Sequence, residues 1–248
     1  MAASPTESRL ARLARAVAAT QLWRSIFRHG WLDTARNRAL EVTGNVFLHL
    51  HPITIPRHAL STRFTFCLGG LGLFLFLVET VTGVLLMFYY RPVLEYAYLD
   101  MKSLGDVARF GLVLRNLHRW GAHLMVVTVM LHMLRVFLTG SYRPPREFNW
   151  VVGVSLLVLT LLLSFTGYLL PWDQLAIWAV TVGMNMAGTT PLLGDDARLV
   201  LLGGLEVSDA ALIRFYTLHV IGLPLLAAIF MAVHFWRIRR DGGLARPL

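Results

Sequence analysis

Four long apolar segments dominate the pattern of hydrophobic and polar positions along this chain. Each carries few or no charges over about 20 residues, the length that an α-helix needs to cross the hydrocarbon core of a bilayer. The pattern therefore predicts an all-α integral membrane protein built on a four-transmembrane-helix bundle. The predicted spans are residues 65–90, 112–138, 150–170 and 215–236.

The charges between these spans predict how they are oriented. Residues 1–60 carry eight arginines against three acidic residues, and the loop after the second span and the tail after the fourth are also rich in arginine. With four spans these three segments share one side, and the excess of arginine predicts that this side is cytoplasmic. We therefore expect a multi-pass protein of a bacterial inner (plasma) membrane with both termini in the cytoplasm.

The N-terminal segment alternates basic and apolar residues over two helical turns. Arg9, Arg12 and Arg15 alternate with Leu10 and Leu13, without the continuous apolar stretch of a signal peptide. This pattern predicts an amphipathic helix on the membrane surface. We divide the chain into an N-terminal extension with this helix, residues 1–60, and a four-helix domain, residues 61–248.

Composition supports a membrane protein and excludes several other classes. Of the 248 residues, 56% are hydrophobic and only 15% are charged. The net charge of +9 does not indicate a nucleic-acid partner, because the basic residues lie at the ends of the apolar segments, where they face membrane lipids. A single cysteine excludes a disulfide framework or a multi-cysteine metal cluster.

Four histidines lie in two spans at matched spacings. His118 and His132 are 14 residues apart, and His219 and His234 are 15 apart. Fourteen helical residues turn through ~1400° and rise ~21 Å, so each span carries two imidazoles on one face at two depths. Both spans run in the same direction, which predicts two stacked bis-histidine haem sites rather than four interhelical hydrogen bonders. His123 points elsewhere and is interpreted as a packing or hydrogen-bonding residue.

Glycines and arginines fit the same interpretation. Gly69 and Gly83 in the first span are 14 residues apart, as are Gly153 and Gly167 in the third, and we expect them to leave room for flat ligands at two levels. Guanidinium groups pair well with carboxylates such as haem propionates. The candidate propionate ligands flank the histidines: Arg115, Arg119, Arg135, Arg214 and, after the last histidine, Arg237 and Arg239.

Longer motifs around these residues resemble the cytochrome b family of quinol–cytochrome c oxidoreductases, and most closely its short cytochrome b6 type. They are Arg115-Asn-Leu-His118-Arg119-Trp120, Leu131-His132-Met-Leu-Arg135, Gly167-Tyr-Leu-Leu-Pro171-Trp172-Asp173-Gln174 and Arg214-Phe-Tyr-Thr-Leu-His219. The resemblance covers about residues 52–248 and includes the ending from Gly242 to Leu248.

The resemblance implies the ligands and the reaction. His118 and His219 would hold a p-side haem b, and His132 and His234 an n-side haem b. Quinol would be oxidised on the p-side, in a pocket that draws on Tyr168, Pro171 and Trp172. One electron would go to a Rieske iron–sulfur protein and the other through the two haems to an n-side quinone, coupled to proton translocation.

The resemblance also implies partners. Long cytochromes b continue into further helices with a Pro-Glu-Trp-Tyr motif that completes the quinol pocket, and this chain has no such motif. A three-helix C-terminal cytochrome b subunit, comparable to subunit IV, would then supply it. A Rieske protein and a cytochrome c complete the expected partners, in a complex that is expected to be dimeric.

Two residues of the first span carry separate expectations. The stretch Phe66-Cys67-Leu-Gly69-Gly70 resembles the site where cytochrome b6 attaches a third haem through one thioether, and the alternative is an inert buried thiol. Glu79 stands where the family pattern leads us to expect glutamine. A carboxyl group at that depth should be protonated or partnered, and the sequence does not indicate its role.

Two other functions fit part of these observations. A cytochrome b anchor of a membrane dehydrogenase or hydrogenase also binds two haems in a helical bundle, but the segment from Gly167 to Gln174 argues against it. A haem-handling or transport protein without redox turnover is the other alternative. Reducible bis-histidine spectra would distinguish the chain from such a protein.

Overall fold

The computed structural model describes residues 8–26, 34–45, 57, 61 and 65–241. These residues form helices joined by short turns and include no β-strand. The helices are α1 Arg9–Ala18, α2 Gln21–Ile26, α3 Ala35–Gly44, α4 Leu68–Met87, α5 Leu94–Val107, α6 Gly111–Leu138, α7 Glu147–Leu169, α8 Gln174–Gly188, α9 Gly194–Leu202, α10 Asp209–Thr217 and α11 Leu223–Arg240, with a π-helical turn at Leu218–Gly222 between the last two.

The four predicted transmembrane helices are confirmed. They are α4, α6, α7 and the continuous helix of α10, the π turn and α11, which covers Asp209–Arg240. The last two begin earlier in the chain than predicted, at Glu147 and Asp209 rather than at residues 150 and 215. The hydropathy pattern marks the apolar part of a helix, whereas the backbone hydrogen bonds continue into its polar end.

The connections between the spans contain short helices that the apolar pattern did not predict. Helix α5 lies between the first two spans, and α8 and α9 lie between the third and fourth. The main cluster of buried side chains is at the end of the bundle that carries these short helices, where it joins α5, α8, α9 and α10 to the end of α7. Its members include Tyr90, Leu169, Trp172, Val180, Leu212 and Phe215.

The turn after α7 is fixed by hydrogen bonds. The Tyr90 hydroxyl donates to the carbonyl of Leu170 over 2.6 Å, which connects the end of the first span to the end of the third. Trp172 has a positive φ of 50°, in the left-handed region, and its ring is buried. Asp173 then caps α8, because its Oδ1 accepts from the backbone N–H of Ala176 over 2.8 Å.

The chain divides into two compact units, residues 61–237 and a smaller unit of residues 1–60 with 238–248. In the smaller unit, Ser8 caps α1 by accepting from the N–H of Ala11 over 3.2 Å. Leu10 and Leu13 of α1 are 79% and 66% exposed, so the apolar side of the predicted amphipathic helix lies on the protein surface. The predicted domain boundary after residue 60 and the family-like ending at 242–248 fall on residues outside those that the structure describes.

An ion pair fixes the connection between α4 and α5. Asp100 is buried and accepts from the Nη2 of Arg91 over 2.6 Å, from its Nε over 3.0 Å and from its backbone N–H over 2.9 Å. The Arg91 guanidinium also stacks on the Tyr96 ring, 3.8 Å from its centroid. The hydrogen bonds from Arg91 hold the pKa of the Asp100 carboxyl below its usual value and raise the pKa of Arg91.

Replacing Asp100 should therefore destabilise this end of the protein in a pH-dependent way. Because the folded-state pKa of Asp100 is lowered, its contribution is present above the usual aspartate pKa of about 3.9 and is lost as the pH falls through the folded-state value. We expect Asp100→Asn to lower the Tm in detergent at pH 7 and to approach wild type at acid pH. Asp106→Asn, at an exposed position of the same helix, should have little effect. An equal Tm difference at all pH values would contradict this assignment.

Candidate functional site

The four histidines form two facing pairs inside the bundle. The rings of His118 and His219 have centroids 6.2 Å apart, and those of His132 and His234 have centroids 6.5 Å apart. The rings within each pair are nearly perpendicular, at 83° and 79°. The structure thus brings together the two pairs that the spacing predicted, and we call His118 with His219 the first level and His132 with His234 the second.

Each histidine lies against one of the four predicted glycines. A Cβ added to Gly83 would lie 3.2 Å from Cε1 of His118, and one added to Gly69 would lie 3.4 Å from Cε1 of His132. A Cβ at Gly167 would overlap the ring of His219, and one at Gly153 would lie 3.8 Å from Cε1 of His234. These contacts show that α4 runs antiparallel to α6, and α7 antiparallel to the fourth span. The glycines therefore let the neighbouring helix approach the ring of each histidine.

Hydrogen bonds fix the orientation of both first-level histidines. Nδ1 of His219 lies 3.1 Å from the carbonyl oxygen of Leu163, which can only accept, so Nδ1 carries the proton. Nδ1 of His118 lies 2.8 Å from Oγ1 of Thr82, and this hydroxyl already donates to Val78, so it accepts from His118. In both rings Nε2 is left with its lone pair, the form of imidazole that binds a metal.

The π turn explains why the histidine spacing is one residue longer in the fourth span than in α6. In the turn Leu218–Gly222 the backbone N–H of Leu223 donates to the carbonyl of Leu218, five residues earlier. Pro224 favours this arrangement, because it has no N–H to continue the α-helical ladder. A single π turn adds one residue to a helix, so the longer spacing here corresponds to the shorter spacing of α6.

The histidine pairs fit a haem iron. An iron atom bound by two imidazole nitrogens at about 2 Å each holds the ring centroids roughly 6 Å apart, since each nitrogen lies about 1 Å from the centre of its ring. The measured 6.2 Å and 6.5 Å agree with this value. Each pair would hold a haem through both of its imidazoles, and a haem held in this way would supply electron transfer rather than oxygen binding.

The predicted propionate ligands lie near the histidines along the chain. In α6, Arg115 is half-buried and Arg119 is exposed, on either side of His118, and Arg135 follows His132 by one turn. Arg214 packs over Gly203, and its Nη1 donates to the carbonyl of Ala210 over 2.8 Å. Arg237 and Arg239 are in the last turns of α11, after His234. Propionate binding by these residues stays a prediction.

A cleft of about 520 Å³ opens beside the turn after α7. Of the three predicted quinol-pocket residues, Trp172 lines this cleft, whereas Tyr168 and Pro171 are not among its lining residues. Sequence reasoning missed Tyr98, because it lies in α5, a helix that the apolar pattern did not reveal. The cleft is lined by Tyr98, Trp172, Asp173, Gln174 and Leu175.

Cys67 immediately precedes α4 and is exposed. Its φ of 52° is in the left-handed region. Two residues later, Gly69 lies against His132, so Cys67 is at the second level of the site. A Cβ at Gly70 would meet no atom within 4 Å, which leaves open space next to this cysteine.

Comparisons with known proteins identify the family. The family described as Cytochrome b/b6/petB matches residues 55–242, and these residues include all four histidines. The chain belongs to the cytochrome b/b6 family. It is 47% identical over 192 residues to the cytochrome b6 of Heliomicrobium gestii, covering 77% of this chain and 88% of that one. It is 44% identical over 194 residues to the cytochrome b6 of a Synechococcus strain, covering 78% and 88%.

A solved structure supports the same assignment. The fold resembles a chain of a hyperthermophilic respiratory Complex III with a TM-score of 0.66 at 29% identity. The match covers 74% of this chain but only 49% of that one, so the chain spans about half the length of this structural neighbour. Membership of the family implies haem b binding, and with the four apolar helices it identifies a multi-pass membrane protein of electron transport, a subunit of an oxidoreductase complex.

The π turn predicts that one residue can be removed from the fourth span without loss of haem. Deleting Ile221 together with Pro224→Ala should give a regular helix with the same histidine spacing as α6. We expect this variant to keep the wild-type haem content, measured as haem per protein after purification. Inserting one alanine between Ala227 and Ala228 should turn His234 by about 100° and lose haem. Retention after the insertion and loss after the deletion would refute the role of the π turn.

Proposed function

We propose that this chain carries electrons across the membrane through two b haems, from p-side quinol to n-side quinone, as a subunit of a quinol–cytochrome c oxidoreductase coupled to proton translocation. His118 and His219 would hold the p-side haem and His132 and His234 the n-side haem. When bound, the two haems would supply one-electron transfer between the two sides. Arg115, Arg119, Arg135 and Arg214 would neutralise their propionates.

The observation that carries this proposal is the repetition of one arrangement at two depths. Both levels have two facing imidazoles at the separation that an iron atom requires, and a glycine against each ring. Fourteen helical residues separate the levels by ~21 Å, about two-thirds of the hydrocarbon thickness. Two redox centres placed in this way connect one side of the bilayer to the other.

The cleft beside Trp172 supports a quinol site at the first level. It lies at the end of α7 that also carries Gly167, which is in contact with the ligand His219. We assign the missing part of this pocket to a three-helix cytochrome b subunit, and the further electron acceptors to a Rieske protein and a cytochrome c. A dimeric complex is part of the same proposal.

The charge pattern supports a bacterial inner membrane with both termini cytoplasmic. At about 100° per residue, Arg12 and Arg15 of α1 lie about 100–160° around the helix from the exposed Leu10 and Leu13, and Arg9 lies at the edge of the leucine side. Such a helix binds in the interface of a membrane, with its arginines on anionic lipid headgroups. We propose this role for the N-terminal extension.

Alanine substitutions test the haem sites and the electron path together. His118→Ala or His219→Ala should remove the first-level haem, and His132→Ala or His234→Ala the second-level haem, because one axial ligand is lost in each case. The measurement is a redox titration of the purified complex, which should show two haem b components in wild type and one in each variant. All four variants should lose quinol-driven reduction of cytochrome c.

His123→Ala provides the matched control, because His123 is in the same helix but packs edge-on against Trp120, with ring centroids 5.5 Å apart. It should keep both haems. Two intact haem components in any of the four ligand variants would contradict the proposed pairs.

We also propose that Cys67 binds a third haem covalently, at the n-side. Its exposed position at the level of His132, with open space at Gly70, supports this assignment. Addition of the thiol across a vinyl group of haem forms one S–C bond and moves the thiol hydrogen to the adjacent carbon, so nothing is oxidised or reduced. Arg237 and Arg239 would meet the propionates of this haem.

A denaturing gel distinguishes covalent from dissociable haem at this site. After acid–acetone extraction of the b haems, the band near 27.9 kDa should still stain for haem peroxidase activity. Cys67→Ser should abolish the stain and leave both haem b components in the spectrum. A wild-type band without stain, in a host able to attach such haems, would show that Cys67 is an exposed thiol that holds no haem.

A further inference from the structure

Glu79 lies against a first-level histidine in the middle of the first span. Its Oε2 is 3.1 Å from Nδ1 of His118, and its side chain is only 14% exposed. Gly121 makes room for it, because a Cβ at this position of α6 would overlap Oε1 of Glu79. The contact between α4 and α6 is therefore shaped around this carboxyl group.

The proton on Nδ1 of His118 is shared between two acceptors of α4. Thr82 Oγ1 accepts at 2.8 Å, since it donates its own proton to the carbonyl of Val78 over 2.7 Å. The Oε2 of Glu79 is the second acceptor, one helical turn before Thr82. Two acceptors on one helix hold the plane of the imidazole and keep its Nε2 lone pair free.

The same arrangement occurs at the partner ligand with one difference. Thr166 and Gly167 of α7 occupy the places of Thr82 and Gly83, and Thr166 lies 3.1 Å from Nδ1 of His219. The second acceptor for His219 is the backbone carbonyl of Leu163, three residues before Thr166. Glu79 is likewise three residues before Thr82. Its side chain is therefore an acceptor for Nδ1 of His118, as the backbone carbonyl of Leu163 is for Nδ1 of His219.

We propose that Glu79 is a positioning residue for the first-level haem: it accepts a hydrogen bond from Nδ1–H of His118, holds the ring in its ligating orientation and lowers the reduction potential of that haem. An acceptor on the distal nitrogen makes an imidazole a more basic ligand, which favours the oxidised iron. The inference rests on the proposed haem ligation. It concerns one level only, because Glu79 contacts a ligand of that level.

Substitution of Glu79 tests this role in the purified complex. Glu79→Leu copies the residue at position 163 and removes the acceptor, so the first-level haem should titrate at a higher potential or be lost, while the second-level haem keeps its wild-type potential. Glu79→Gln keeps an acceptor oxygen and should restore most of the wild-type potential. The His118→Ala variant identifies which component of the titration is the first-level haem.

A control variant separates positioning from a general effect on the helix. Thr80→Val changes an exposed neighbour of Glu79 in α4. This variant should leave the two potentials unchanged. Unchanged potentials in Glu79→Leu, an equal effect on both haems, or a Gln variant that behaves like the Leu variant would overturn the inference. Wild-type protein without two haems would instead overturn the proposed function.

Discussion

Close approach of a glycine-bearing helix to each histidine ring is the constraint on which the rest of this structure depends. An imidazole pressed against a helix backbone can reach the acceptors of that helix, and the first-level rings do so through Thr82 and Thr166. Each threonine directly precedes the glycine that contacts the same ring. The pair Thr-Gly thus supplies both the space for the ring and the hydrogen bond that orients it.

The two ends of the bundle are built differently. The buried side-chain cluster lies at the end where α5, α8, α9 and α10 pack on the spans, and it includes Leu169 and Phe215, close in sequence to Gly167 and His219. Few residues of the spans themselves are buried. In the most apolar stretch of each span, no more than 22% of the residues are buried. Packing within the chain therefore supports the first level most strongly, and the apolar span surfaces are suited to lipid and to partner helices.

The sequence was sufficient to predict the spans, which follow from the length of the apolar segments. It was also sufficient to predict the two histidine pairs and the four glycines at their levels, which follow from the period of an α-helix. The π turn could not be predicted from that period, although Gly222 and Pro224 are a local signal for it. The contact of Glu79 with His118 could not be predicted from the sequence either. The two residues are distant in the sequence and lie on antiparallel helices, and the register between two helices depends on tertiary packing. Tyr98 was missed because its short helix lacks a long apolar run.

The glycines also explain why the fourth span needs its π turn. The two glycines of α4 have the same spacing as the two histidines that they face, so two regular helices keep both contacts in register. The glycines of α7 have this spacing too, but they face histidines that are one residue further apart. If the fourth span were a regular α-helix, one of its two histidine rings would be turned about 100° away from the glycine of α7 that it faces. The extra residue is taken up at Leu218–Gly222, directly around His219, and π turns are frequent at functional sites for the same reason: they re-aim a side chain without ending the helix.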